Sequence, residues 1–227
     1  MHQKIITYKE PQDVKTTLDS LGLNVNELQD AAKANFLAQA SCTANDAPTA
    51  PGFIGWNASV KTIREYLIVR GWESKNIKNS PRIVNTDKSI SIMVATGDDA
   101  TGNPSIIPKT KSHKGATTRT AIYNNEAQTS LFPEEAIPHV IPVVSIGHST
   151  SSTWVLLVHV YIDKAIEKPR HYVRCELSMP VGMDDTGHID NWRERIILPE
   201  ITINPDDLID KVEDFAPEQE IILQRKA

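Results

Sequence analysis

The spacing of apolar residues changes near residue 89, and that change favours a fold in which helices come first and a sheet follows. Before residue 72, Val14, Leu18 and Leu21 fall on one face, and Leu28, Ala31, Ala32 and Phe36 on another. Val60, Ile63 and Leu67 form a third such set, and this three-and-four spacing is the repeat of a helix. Pro11 suits the first position of a helix and Gly22 its end. Asn24, with Glu27 three residues on, resembles a capping box. The stretch TANDAPTAPGFIGWN reads as irregular, and Ser59 is expected to cap a third helix that Gly71 ends.

After residue 89 the period is that of strands. SISIMVAT places Ile90, Ile92 and Val94 on one side, and RTAIY (119–123) is a weaker strand candidate. VIPVVSI carries Pro142, which suits an edge or a strand start. TWVLLVHVYI is apolar on both faces, as a central, doubly covered strand would be. HYVRCELSM alternates, with His171, Val173, Cys175, Leu177 and Met179 on one face. RERIILPEITI is a further strand broken by Pro199, and DLIDKVEDF reads as a short helix.

The expected class is therefore α+β: N-terminal helices packed on a mixed, mostly antiparallel sheet of five to six strands. Strands do not alternate with helices in the manner of βαβ units. With neither a repeat nor a Gly/Ser linker, residues 1–227 read as one domain. Its parts are a helical portion (1–80), a sheet portion (85–204) and an acidic tail (205–227).

Composition bounds the partners. Apolar residues make up 40%, enough for a real core, and the net charge is −5, which opposes bulk attraction to nucleic acid. The charge is unevenly placed. Residues 204–220 carry seven acids and one lysine, while 104–124 holds Lys109, Lys111, Lys114 and Arg119 and no acid. Two cysteines, Cys42 and Cys175, stand 133 residues apart, which points to a reducing, cytoplasmic setting. The longest apolar run, WVLLVHVYI, is nine residues, well short of the roughly 20 a membrane helix needs, so no membrane partner is expected.

Several strong motifs are missing. Gly97 and Gly102 give G-x-x-x-x-G, but Asn103 and Pro104 follow where a phosphate-binding loop needs Lys and Ser or Thr. The chain lacks G-x-G-x-x-G, H-E-x-x-H, C-x-x-C and G-x-S-x-G. His171 and Cys175 share a strand face but sit about 13 Å apart along it, too far for one zinc ion. His159, inside an apolar strand, reads as a hydrogen-bonded core residue.

Two constellations carry chemistry. In KTKSHKGATTR, the side chains of Lys109, Lys111, His113, Lys114, Thr117 and Arg119 are the mix that phosphate contacts use, and Gly115 permits close backbone approach. They imply a nucleic-acid or nucleotide partner, although Tyr123 alone is near for stacking. The competing reading is a solvated surface loop.

The second constellation is Asp163 with Glu176. Paired across a hairpin, they would hold magnesium as the catalytic and metal-binding residues of a phosphodiesterase. The pattern resembles in part the Asp…Glu-x-Lys core of restriction-type nucleases, with Ser178 where the lysine would stand. The plainer alternative pairs Glu176 with Arg174 as a surface ion pair. A third reading takes the segregated charge as the mark of a non-catalytic subunit, docking on a protein partner or on a second copy. Asp98-Asp99 and Asp184-Asp185 read as turn residues; were their loops to meet, the four carboxylates would need a cation.

Overall fold

The structure, a computed structural model, describes residues 5–131, 151–163 and 170–203. A short strand, β1 (Ile6–Tyr8), precedes three helices: α1 (Pro11–Ser20), α2 (Val25–Ala40) and α3 (Ala50–Ile68). Pro11 opens α1, and the Asn24 side chain accepts from the Glu27 amide at the start of α2. Gly22 and Gly71 take positive φ values of 70° and 86° just past helix ends, a conformation that glycine adopts without penalty.

α3 begins nine residues before Ser59. The segment expected to be irregular supplies its first turns, with Pro51 near the N-terminus. Ser59 is no cap; its buried hydroxyl donates to the Ala31 carbonyl and accepts from Asn35 on α2. Gly55 marks where the two helices meet most closely. A Cβ there would lie 2.6 Å from Gln39 Cγ and 2.7 Å from Asn35 Oδ1.

The sheet has eight strands rather than five or six. After α3 come β2 (Glu73–Ile77), β3 (Ser80–Val84) and β4 (Ile90–Thr96). A fourth helix, α4 (Ala116–Leu131), leads to β5 (Ser152–Asp163), β6 (Arg170–Met183), β7 (Ile189–Ile197) and β8 (Ile201–Ile203). The order is β1-β7-β6-β5-β4-β3-β2, and β8 pairs with β6 beyond the Pro199 break. The helices are thus not all N-terminal, although the α+β class holds.

Two elements correct the reading of the sequence. RTAIY lies inside α4, where Thr118, Ala121, Ile122 and Asn125 are buried at helical spacing. A βαβ unit is also present, because β4 and β5 pair in parallel with α4 between them. The strand expected at VIPVVSI, the helix expected at DLIDKVEDF and the acidic tail lie outside the described residues.

β5 sits mid-sheet and is covered on both faces, as its sequence implied. Trp154, Leu156 and Val158 join the core under α1–α3; Val155 and Leu157 join Met93, Ala95, Ile122, Ile189 and Trp192 on the other side. On β6, Val173, Cys175, Leu177 and Met179 face the three helices. The opposite face of β6 therefore presents Tyr172, Arg174, Glu176 and Ser178 towards α4 and the loop that follows β4.

Candidate functional site

The loop after β4 is strapped to the sheet at several points, while Pro104–Ile107, Lys109 and Lys111–His113 stay exposed. Glu176 is 0% exposed and Arg195 2%, and Arg195 donates from Nη2 and Nε to the two Glu176 oxygens at 2.6 and 3.0 Å. The same guanidinium donates to the carbonyls of Asn103 and Ile106, each at 3.0 Å. Glu176 also accepts from the Gly102 amide (2.9 Å) and from Ser178 Oγ (2.8 Å). Trp192 Nε1 holds the Pro108 carbonyl, and the buried Thr110 hydroxyl accepts from the Ile189 amide.

Glu176 is thus a structural anchor. Its oxygens are taken by a guanidinium, a hydroxyl and an amide, which leaves a metal ion no free ligand. Nor does it meet Asp163: the backbone register sets Asp163 opposite Arg170 and Glu176 opposite Leu157. Six residues of strand separate the two, about 20 Å at the usual rise. The expected magnesium pair does not form, and the surface pairing of Glu176 with Arg174 is replaced by the buried one with Arg195. Among the described residues, no group of three or more His, Cys, Asp or Glu is placed to hold a metal ion.

The basic stretch is only partly available. Lys109 lies between Asp184 (3.5 Å) and Asp190 (3.4 Å) and is ion-paired with both. Asp184 also accepts from the Thr186 hydroxyl and from the Thr186 and His188 amides, which hold its carboxyl well below the usual range. Asp98 accepts from the Ala100 amide, the turn chemistry its sequence suggested.

His113 Nδ1 lies 2.8 Å from the Thr186 carbonyl, and its ring packs on His188. Lys114 is half-buried, and burial pushes its ammonium down to about 8. The Thr117 carbonyl accepts from Arg82, so that residue is engaged through its backbone. Lys111 and Arg119 stay exposed; the Lys111 amide pins it to the Thr96 carbonyl at the end of β4.

The end of β4 is where the geometry becomes suggestive. β5 and β6 run on beyond it, leaving a notch beside His159, Tyr161, Tyr172 and Arg174. Tyr161 stands opposite Tyr172 in register, and their rings stack at 5.1 Å with a 15° interplanar angle. His159 continues the row at 6.1 Å, and the Arg174 guanidinium lies 4.5 Å over Tyr161. Glu200, just past Pro199, accepts from Tyr161 Oη and Arg174 Nε. An open depression of about 290 Å³ adjoins the row, lined by Gly102, Asn103, Pro104, Arg174, Leu198 and Glu200.

His159 is the buried end of the row, with Nδ1 3.4 Å from the Gly97 carbonyl, and desolvation holds its imidazole below the ordinary value. Lys111 and Arg174 act on it through space in the same direction, while Asp99 opposes them. The aromatic row therefore carries the Arg174–Glu200 ion pair, and its His159 end lies within electrostatic reach of Lys111 and Asp99. Sequence reading missed it because Tyr161 and Tyr172 meet only through hairpin register; alternation alone offered a signal, by placing Tyr172 and Arg174 on the same face of β6.

Comparison with family models, curated proteins and solved structures returned no match. Among the described residues, no helix is long and apolar enough to cross a membrane.

Proposed function

We propose that this protein binds a phosphate-containing partner, a nucleotide or single-stranded nucleic acid, at the notch beyond β4. The observation that carries the reading is the Tyr161–Tyr172 stack capped by Arg174, with exposed Lys111 close by. Bases stack on aromatic and guanidinium planes in a sequence-tolerant way, and a neighbouring lysine supplies the phosphate contact. The depression beside Arg174 offers room next to the row.

Compared with the sequence expectation, the partner class is kept and the binding surface moves. Lys111 remains in it, Lys109 and His113 are occupied by the 184–190 turn, and Tyr161, Tyr172 and Arg174 join. Duplex nucleic acid fits less well, because its bases are already stacked and offer no free face to Tyr172.

The test is equilibrium binding of a labelled single strand, a duplex of the same sequence and a mononucleotide to wild type and Tyr172→Ala. The reading expects the single strand to outcompete the duplex and Tyr172→Ala to weaken it by about tenfold or more. Equal affinity for both forms, unchanged by Tyr172→Ala, would remove the row from the site.

A further inference from the structure

A second feature lies on the α4 side of the sheet. Arg82, on β3, is only 7% exposed, yet it enters no ion pair among the described residues. Its hydrogen bonds are long: Nη1 to Thr153 Oγ1 at 3.4 Å and Nη2 to the Thr117 carbonyl at 3.3 Å. Its Nε has no partner among the described residues. Arg195, the other deeply buried arginine, has its bonds at 2.6–3.0 Å and a carboxylate besides. Good N–H···O bonds span roughly 2.7–3.2 Å, so the Arg82 guanidinium is weakly held.

Its position adds to the imbalance. Thr117 is the second residue of α4, so the cation sits at the positive end of that helix dipole. To reach Thr153 on β5, Arg82 must cross β4, whose Ser91 is the register partner of Thr153. Ser91 is 4% exposed, and its hydroxyl also lacks a partner among the described residues. A buried cation, a hydroxyl without a partner and the first turn of α4 thus lie near one another with no anion among the described residues. Buried charges are costly unless paired, and a helix N-terminus with an arginine is a recurring phosphate receptor.

We propose that Arg82, with Ser91 and the first turn of α4, forms an anion site for a phosphoryl group. The site stands on residues separate from the tyrosine row and holds whether or not that row takes a base. An acid from this chain's own 204–220 segment is the competing counter-ion, and the test separates the two. The weak, long bonds of Arg82 favour an exchangeable ligand over a permanent internal partner.

Thermal unfolding of the full chain is measured in inorganic phosphate, sulfate and chloride at constant ionic strength, for wild type, Arg82→Met, Ser91→Ala and Tyr172→Ala. Wild type is expected to gain a saturable rise in Tm with phosphate beyond that with chloride, as a ligand of the folded state must give. Arg82→Met should lose that rise while staying at least as stable in phosphate-free buffer, and Ser91→Ala should weaken apparent phosphate affinity several-fold. Tyr172→Ala should keep the full response, so failure of the stacking site would not be mistaken for failure of this one. A phosphate response shared by wild type and Arg82→Met overturns the proposal, as does no response beyond chloride. So does a large loss of stability in phosphate-free Arg82→Met, which would show that the chain itself neutralises the arginine.

Discussion

Arg195 and Glu176 face each other from neighbouring strands with no solvent between them, and their bidentate contact clamps the loop that follows β4. Two guanidinium bonds go to the carboxylate and two to the loop carbonyls of Asn103 and Ile106. A charge pair at 0% and 2% exposure is strongly asymmetric in its energetics: removing one partner is far worse than removing both.

Glu176→Ala is therefore expected to cost about 3–5 kcal/mol of stability, because Arg195 would be left buried and unpaired. The double variant Glu176→Leu, Arg195→Met should recover much of that loss. Urea unfolding of Glu176→Leu, Arg195→Met and the double forms the cycle. Additive losses would show that the pair is uncoupled.

Gly55 sets helix propensity against packing. An exposed helical Gly→Ala change gains about 1 kcal/mol. Here the added methyl meets Gln39 Cγ at 2.6 Å and Asn35 Oδ1 at 2.7 Å, and Asn35 is fixed by its bond to Ser59. Overpacking of that kind costs about 1–3 kcal/mol, so Gly55→Ala should be net destabilising. A rise in unfolding midpoint would mean that α2 and α3 meet less closely than described.

Two buried groups contribute to the pH profile of stability, one at each end. His159 is held below its ordinary value chiefly by desolvation, so the unfolded chain takes up a proton first as pH falls. Its contribution is complete above the unfolded histidine value near 6.5 and is lost as pH drops from there through the folded value. Cys175 is pushed the other way: burial raises its thiol to about 12, so stability is lost as pH climbs from about 9 toward 12. Unfolding midpoints measured from pH 5 to 10 should flatten at the acid end in His159→Phe and at the alkaline end in Cys175→Ala. A profile unchanged in either variant would contradict the burial of that group.

How much of this was legible in the residues follows from which interactions are local. The alternation of Val173, Cys175, Leu177 and Met179, the double coverage of β5 and the Pro199 break are local patterns, and each reappears in the fold. The hairpin of β2 and β3 was not read, because β2 is exposed along its whole length and carries no apolar alternation. Its turn at Lys78-Asn79, with φ values of 46° and 63°, was the available clue. α4 looked like a strand because Thr and Ile favour strands; tertiary burial of Thr118, Ala121, Ile122 and Asn125 decided otherwise.

The site was less legible than the fold for a related reason. The loop from Gly97 to Thr110 is organised by Glu176, Trp192 and Arg195, some 75 to 90 residues away, and nothing within the loop announces those bonds. Lys109 looked free until Asp184 and Asp190 came to it. Tyr161 and Tyr172 become a stacked pair only once the register of their hairpin is set.

Binding of a phosphate-bearing, base-containing partner at the notch beyond β4 is measured through the salt dependence of single-strand binding in wild type and Lys111→Glu. Fluorescence anisotropy at 50 and 200 mM salt gives the slope of log affinity against log salt. Wild type is expected to bind the single strand measurably and more weakly as salt rises, and Lys111→Glu to show a shallower slope with lower affinity. Absent binding, or an identical slope in the two proteins, would contradict it.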